Sequence, residues 1–187
     1  HQDKLAQCAG GEYDLVLIGD SITHFWQETE QGEPSWLEMM DGKALNLGFG
    51  YDRVENVLWR VYHGEKGDLN AKRIVVLIGT NNLSTSTDED ILEGLELLWK
   101  AIAVRHPDAE LVACGILPRG GEYGRRVAPL NKKMAKLARR TGLKYIDPGK
   151  KMLDKGELRK ECFAKDLLHL SDAGYRLIAP EIIGESF

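Results

Sequence analysis

The sequence contains 187 residues, of which 43% are hydrophobic and 29% are charged, and this composition predicts one folded domain over residues 1–187. Its formal net charge of −4 gives no electrostatic reason to expect nucleic acid or an anionic membrane as a partner. No apolar run approaches the roughly 20 residues that a transmembrane helix requires, so we expect no membrane-spanning segment.

The cysteines and the first residue bear on redox state and processing. Cys8, Cys114 and Cys162 are odd in number, lie far apart and lack the spacing of metal ligands, so we expect free thiols, mostly buried, and no metal site. The chain begins at His1 rather than Met. We expect a processed or trimmed N-terminus, which slightly favours a secreted or periplasmic location over a cytoplasmic one.

In chain order, short apolar runs alternate with segments of helical periodicity. The predicted strands are 14–18, 43–47, 73–78, 110–117 and 143–146. The predicted helices include 54–62, 89–104 and 128–142, with a last helix after Ser171. This alternation predicts βαβ crossovers and a parallel sheet, and continuous aliphatic strands indicate that both of its faces are covered. The predicted fold class is α/β, a three-layer α/β/α sandwich with a five-stranded parallel sheet.

Polar motifs follow the first four strands, namely "GDSIT", "GFGYD", "GTNN" and "PRGGEYGRR". The carboxyl ends of parallel strands meet at one edge of an open sheet, where ligands bind. Ser21, in the first motif, has two interpretations: it caps the following helix, or it is a nucleophile held at the rim of the sheet. A nucleophile needs a base and oxyanion-binding donors from elsewhere in the chain.

An imidazole is the usual base for a serine, and His169 is the best candidate among the five histidines. Asp166 lies three residues earlier, just before the last helix, so its carboxylate can accept from Nδ1 and leave Nε2 free. His24 lies three residues after Ser21 but is poorly placed to be oriented. The other histidines are terminal or expected to be solvated: His1, His63 and His106.

The oxyanion donors have three candidates. These are the side-chain amide of Asn81 in "GTNN", the Ser21 N–H at a helix start, and a backbone N–H in "GFGYD". Read alone, "GTNN" is equally typical of a simple turn. The order of the motifs after successive strands favours a hydrolytic site.

Together, "GDSIT", "NLGFGYD", "GTNN" and "DLLH" resemble the blocks of the SGNH hydrolase superfamily, the GDSL-type esterases, over almost the whole chain. "LNLGFGYDRVENVLWR" and "VVLIGTNN" are similar to the branch of platelet-activating-factor acetylhydrolase catalytic subunits and bacterial carbohydrate acetylesterases. The resemblance implies the flavodoxin-like SGNH hydrolase fold, with Ser21 as nucleophile, His169 as base, Asp166 as its orienting residue and Asn81 in the oxyanion hole. It implies no metal or other cofactor, and a homodimer is an expectation for this branch.

The second block departs from the family pattern. This branch usually has Gly-Gly-Asp, whose second glycine donates its N–H to the oxyanion, whereas here Tyr51 precedes Asp52 and Gly50 stands one place earlier. A positive φ at Tyr51 would be strained. Tyr51 could instead wall the acyl pocket and favour short acyl groups. Gly50 and Tyr51 therefore remain alternative donors.

Four residues near the predicted crevice are candidate substrate contacts: Asp20, Trp26, Asp52 and Arg119. Trp26 has the alternative role of packing its helix on the sheet. Arg119, like its neighbours Arg125 and Arg126, could contact an anionic substrate or be merely solvated. Trp59 and Trp99 fall in helical patterns and are expected in the core.

We predict a serine esterase that hydrolyses short-chain acyl esters, above all acetyl esters of carbohydrates. A phospholipid acetylhydrolase or lysophospholipase-like esterase is one alternative, and a catalytically idle relative that binds glycans is another. Only Tyr51 favours the idle relative, because an idle site has no physical reason to retain the four residues Ser21, Asn81, Asp166 and His169. The expected partner is thus a small-molecule or glycan ester.

Overall fold

A parallel sheet forms the centre of the computed structural model, which describes residues 11–40, 43–63 and 69–184. Within these ranges its strands are β1 (Glu12–Gly19), β2 (Ala44–Gly48), β3 (Asn70–Leu77), β4 (Glu110–Cys114) and β5 (Lys144–Ile146). They lie in the order β2-β1-β3-β4-β5, and each neighbouring pair is parallel. This is the flavodoxin-like order, so the predicted α/β fold with a five-stranded parallel sheet is confirmed.

Helices connect the strands. The α-helices of the described ranges are α1 (Ser21–Glu28), α2 (Glu33–Met39), α3 (Val54–His63), α4 (Asp88–Arg105), α5 (Gly124–Arg140) and α6 (Asp172–Ile183). Short 3₁₀ helices span Thr80–Ser84, Pro148–Met152 and Lys160–Cys162, and a small hairpin pairs β6 (Leu153–Asp154) with β7 (Glu157–Leu158). The predicted strand at 110–117 ends earlier, at Cys114, because its outer neighbour β5 ends at Ile146 and offers no further partner.

Two apolar cores lie on opposite faces of the sheet. Along β1, Val16 and Ile18 join the core beneath α3, α4 and α5, whereas Leu15 and Leu17 join the core beneath α1, α2 and α6. Successive residues of a strand point to opposite faces, so an uninterrupted apolar strand serves both cores. Burying each of these side chains contributes about 1.5–3 kcal/mol, and the predicted three-layer sandwich is confirmed.

Two side chains differ from the sequence-based expectations. Trp99 is buried in the core as predicted, but Trp59 is 56% exposed. The prediction for Trp59 was wrong because this residue lies on the outer side of α3, where its ring stacks on His63 at 4.6 Å between centroids. His106 was expected to be solvated, yet it is half-buried at the end of α4, and burial lowers the pKa of its imidazole.

The described cysteines are free and buried. Cys114 and Cys162 form no disulfide, which confirms the expectation for these two thiols, and burial raises the pKa of each. Cys8 and His1 lie outside the described residues. In the part of the chain that the structure describes, none of the helices combines the length and apolar character needed to cross a bilayer.

Candidate active site

Ser21 opens α1 at the carboxyl end of β1 and is 8% exposed. The cap of this helix is not Ser21 but Asp20, whose Oδ1 accepts a hydrogen bond from the Ile22 N–H at 2.9 Å. The Ser21 hydroxyl is therefore not needed to begin the helix. The interpretation of Ser21 as an N-cap is wrong, and its side chain is available for other chemistry.

Asp20 does not reach a substrate. Its side chain is 1% exposed, so the expectation that it contacts substrate was wrong. Burial raises the pKa of Asp20 to about 7, against the opposing effects of the Ile22 N–H and the Arg119 guanidinium. The carboxyl group serves the helix start beneath Ser21.

Ser21, His169 and Asp166 form one hydrogen-bonded chain. His169 Nε2 lies 2.9 Å from Ser21 Oγ, and His169 Nδ1 lies 2.6 Å from Asp166 Oδ2. The structure thus brings together three residues that the sequence predicted as partners, across 148 positions of chain between serine and histidine. With the carboxylate accepting from Nδ1–H, Nε2 presents its lone pair to the hydroxyl.

Local geometry holds the Asp166 carboxylate beside His169. Asp166 Oδ1 accepts from the backbone N–H groups of Leu168 and His169, both at 3.0 Å, a turn that short acidic side chains favour. Partial burial opposes ionisation, but these N–H groups and the imidazole outweigh it and lower the pKa of Asp166. The carboxylate therefore stays charged where it faces the ring.

Asn81 lies in the 3₁₀ helix that follows β3. Its Nδ2 donates to the backbone carbonyl of Asp52 at 2.8 Å, which uses one of the two N–H bonds of that amide. The side chain links the turn after β3 to the turn after β2. The Asp52 carboxylate pairs with Arg60, so the prediction that it contacts substrate is not supported by its surroundings.

The turn after β2 carries both candidate backbone donors. The Gly50 N–H donates to His24 Nδ1 at 3.2 Å. Tyr51 has a φ of 64°, and no acceptor among the described residues receives its N–H. The Tyr51 side chain is 91% exposed, and the suggestion that it walls an acyl pocket stays a prediction.

His24 is better oriented than its sequence context indicated. Its Nε2 lies 2.6 Å from Glu28 Oε2 and its Nδ1 accepts from Gly50. The expectation that His24 is poorly placed to be oriented was therefore wrong. The sequence did contain a signal, since residues four apart on a helix face each other.

Asn46 is a residue of the site region that sequence reasoning missed. It is buried in the middle of β2, where its Nδ2 donates to the Thr23 carbonyl at 2.7 Å and its Oδ1 accepts from the Gly48 N–H at 2.9 Å. One side chain thus joins α1 to the end of β2. The available signal was an asparagine inside the apolar strand "ALNLG", because a buried polar side chain needs partners.

The other two predicted contacts, Trp26 and Arg119, lie in different surroundings. Trp26 is 2% exposed, donates to Ser35 Oγ at 3.0 Å and stacks on Tyr175 at 5.0 Å, so the expectation that it contacts substrate was wrong. Arg119 is half-buried and donates to Thr80 Oγ1 at 3.0 Å. Arg126 binds the carbonyls of two residues and the Asp88 carboxylate, which assigns it a structural role.

An aromatic ring completes the surroundings of the imidazole. The Phe25 ring centroid lies 4.8 Å from that of His169, and Phe25 comes from the same helix as Ser21. A hydroxyl hydrogen-bonded to an oriented imidazole supplies the nucleophile and the base that acyl transfer requires.

Comparison with known proteins finds one matching family model and several similar proteins. The model of the GDSL-like lipase/acylhydrolase family matches residues 17–177, a range that contains Ser21, Asn81, Asp166 and His169. Platelet-activating factor acetylhydrolase IB subunit alpha2 of Rattus norvegicus is 33% identical over 189 residues, which cover 95% of this chain and 78% of the relative.

Solved structures share the fold. A GDSL-like lipase from Bacteroides thetaiotaomicron has a TM-score of 0.81 at 14% identity, covering 100% of this chain and 96% of that one. A catalytic mutant of the acetylxylan esterase Axe2 from Geobacillus stearothermophilus has a TM-score of 0.73 at 16% identity, covering 94% and 95%. At these identities the likeness concerns the fold alone.

Proposed function

The chain belongs to the GDSL-like lipase/acylhydrolase family, and we propose that it is a serine esterase that removes short acyl groups, above all acetyl, from carbohydrates. The observation that carries the proposal is the hydrogen-bonded chain from Asp166 through His169 to Ser21 Oγ. A family member is a hydrolase of acyl groups. The catalytic roles of Ser21, His169 and Asp166 and the choice of a carbohydrate acetyl ester are parts of this proposal.

The first half-reaction transfers the acyl group to Ser21. His169 Nε2 takes the hydroxyl proton while Ser21 Oγ bonds to the ester carbonyl carbon, and the carbonyl oxygen becomes an oxyanion. The oxyanion then re-forms the carbonyl as the bond to the leaving alcohol breaks. The His169 imidazolium gives its proton to that alcohol, and Asp166 stabilises the charged ring throughout.

Water completes the cycle. His169 takes a proton from a water molecule whose oxygen attacks the acyl-serine carbon, and the second tetrahedral intermediate releases the acid. His169 returns the proton to Ser21 Oγ, which restores the starting state. These steps use only side chains and water.

Three N–H groups are proposed to bind the oxyanion: the backbone N–H groups of Ser21 and Tyr51 and the second N–H of Asn81 Nδ2. The choice of Tyr51 over Gly50 is supported by the Gly50 N–H already donating to His24. Removing one such donor typically costs about 10²–10³ in rate. The positive φ of Tyr51 does not prevent this role, because a backbone donor needs no particular side chain.

Two observations support the preference for carbohydrate acetyl esters. One structural neighbour is an acetylxylan esterase, and the exposed Tyr51 ring beside the site offers a face on which a sugar can stack. A phospholipid acetylhydrolase activity is the second candidate, since the relative at 33% identity is a platelet-activating factor acetylhydrolase subunit.

Hydrolysis of p-nitrophenyl esters from acetate to octanoate tests the reaction, with the Ser21→Ala protein as the matched control. We expect cleavage that is fastest for acetate, falls with chain length and drops at least about 10³-fold in Ser21→Ala, while the circular dichroism spectrum stays unchanged. Acetylated xylo-oligosaccharides and an acetyl phospholipid then distinguish the two candidate substrates. Equal hydrolysis by the native and Ser21→Ala proteins would refute the proposed mechanism.

A further inference from the structure

A second imidazole lies beside the proposed oxyanion site, and it takes no part in the reaction described above. His24 is one turn after Ser21 on α1, and its Nδ1 accepts the Gly50 N–H at 3.2 Å. We propose that His24 is a positioning residue, which binds the Gly50 N–H and thereby directs the next N–H, that of Tyr51, toward the oxyanion. This inference rests on the proposed function.

The hydrogen-bond partners define the protonation state that His24 must have. Because the Gly50 N–H is a donor, Nδ1 must present a lone pair, and the proton of the neutral ring is then on Nε2. Nε2 lies 2.6 Å from Glu28 Oε2, an acceptor. Glu28 therefore favours the tautomer that can hold Gly50, in the way that a carboxylate commonly selects the tautomer of an imidazole.

Backbone hydrogen bonds close the turn that contains Gly50 and hold its two ends, and the Asp52 N–H donates to the Phe49 carbonyl across the turn at 3.3 Å. The Phe49 N–H donates to the Gly19 carbonyl at 3.1 Å, and the Asp52 carbonyl accepts from Asn81 at 2.8 Å. Between these points, a methyl group built on Gly50 would meet a single described neighbour within 4 Å, His24 Nδ1 at 3.8 Å. Among the described residues, His24 is thus the side chain that contacts the middle of the turn.

Tyr51 itself gives the turn little support. Its side chain is 91% exposed and its φ is 64°, a conformation that costs a non-glycine residue free energy. Without the contact at Gly50, this strain favours rotation of the Gly50–Tyr51 peptide away from the observed geometry. Such a rotation would turn the Tyr51 N–H away from the oxyanion.

The close packing of α1 on β2 places His24 where the turn begins. A methyl group at Gly48 would collide with the backbone of His24 and Thr23, so only glycine allows this approach. The same approach brings the imidazole alongside Gly50. Gly48, the last residue of β2, and His24 on α1 therefore contribute to the same geometry.

Two substitutions of His24 test its two ring nitrogens separately. One keeps an acceptor at the place of Nδ1, and the other keeps a polar group at the place of Nε2. In His24→Asn the amide oxygen occupies nearly the place of Nδ1 and can still accept from Gly50, whereas in His24→Gln the amide group reaches the place of Nε2 near Glu28. We expect His24→Asn to keep kcat within about 3-fold. We expect His24→Gln to lower kcat about 10–100-fold with KM within about 3-fold, the loss typical of a misplaced transition-state donor.

His63→Gln is the matched control, because His63 is also a helical histidine whose Nδ1 contacts a backbone atom, the Trp59 carbonyl at 2.8 Å. It lies on α3, and its ring contacts in the described part of the chain are with Trp59, so the kcat of His63→Gln should stay within about 2-fold of native. Equal kcat values for His24→Asn and His24→Gln would overturn the inference. A native kcat in His24→Gln would do so as well.

A measurement without substrate separates this inference from the proposed function. Nitrogen-15 NMR of the imidazole should show the Nε2–H tautomer for His24, and the Gly50 amide should exchange slowly in the native and His24→Asn proteins but at least about 10-fold faster in His24→Gln. Equally fast Gly50 exchange in all three proteins refutes the role of His24. Absence of Ser21-dependent hydrolysis in the native protein refutes the proposed function instead, whatever the amide shows.

Discussion

Asp166 decides, at the scale of single residues, which nitrogen of His169 carries the proton. An asparagine in its place has an N–H₂ group that favours the opposite tautomer, with a proton on Nε2 facing Ser21 Oγ. We expect Asp166→Asn to lower kcat for p-nitrophenyl acetate by about 10²–10⁴ with the fold retained. Glu161→Gln is a suitable control, since Glu161 is exposed nearby and pairs with Arg159; a loss of similar size there would contradict the role of Asp166.

Asp20 gives the folded protein a pH dependence. Burial raises the pKa of Asp20 to about 7 from an ordinary 3.8, so between about pH 4 and pH 7 the folded state holds a proton that the unfolded state has released. The free energy of unfolding therefore decreases as the pH rises through this range.

Asp20→Asn isolates this contribution, because asparagine also caps helices. The free energy of unfolding is measured in urea at pH 5 and at pH 8. From pH 5 to pH 8 we expect it to fall by roughly 2–4 kcal/mol more in the native protein than in the variant. If the free energy of unfolding changes equally with pH in the two proteins, folding does not raise the pKa of Asp20.

The junction of α1 with the end of β2 depends, at the scale of elements, on Asn46. Asn46→Ala would leave the Thr23 carbonyl and the Gly48 N–H buried without this partner, at about 1–3 kcal/mol for each group. We expect the free energy of unfolding in urea to fall by about 2–4 kcal/mol. Asn70→Ala, at the exposed start of β3, should change it by less than about 1 kcal/mol; comparable losses would contradict the argument.

The sequence predicted elements well where the signal was local. The aliphatic run 15–18 predicted the position of β1, and the "GDSIT" and "DLLH" motifs contained the three residues that meet in space, Ser21, Asp166 and His169. Asn46 was missed and His24 was misjudged because their hydrogen bonds are not local. They join α1 to β2 and to the turn after β2, about 25 positions later in the sequence. Trp59 was misassigned because periodicity shows that a helix has an apolar side without showing which neighbours cover it.

Arg73 connects the sheet to the last helix, at the scale of the whole molecule. It is buried in β3, where its Nε donates to the Ile182 carbonyl at 2.9 Å and its Nη2 donates to the Glu181 carbonyl at 3.1 Å. It also pairs with Glu110 of β4. A cation thus satisfies the carbonyl end of α6, where the helix dipole favours positive charge.

Arg73→Met would leave those carbonyls without their donor. We expect the free energy of unfolding to fall by about 2–4 kcal/mol in urea titration followed by tryptophan fluorescence. Its neighbour Lys72 is exposed and pairs with Asp14 at 2.6 Å, so Lys72→Met should cost less than about 1 kcal/mol. A milder effect of Arg73→Met than of Lys72→Met would show that α6 does not depend on this connection.

Ser21 and His169 of the proposed site are synthesised at different times, because they lie far apart in the sequence. A growing polypeptide exposes Ser21 and the first strands while the 148 positions up to His169 are still being added, and α6, whose Tyr175 hydroxyl donates to the Ile22 carbonyl at 2.7 Å, emerges later still. The proposed nucleophile is therefore synthesised long before its proposed base. Under the proposed mechanism, Ser21-dependent hydrolysis requires the chain as far as His169, so the onset of that activity would report that His169 has reached Ser21.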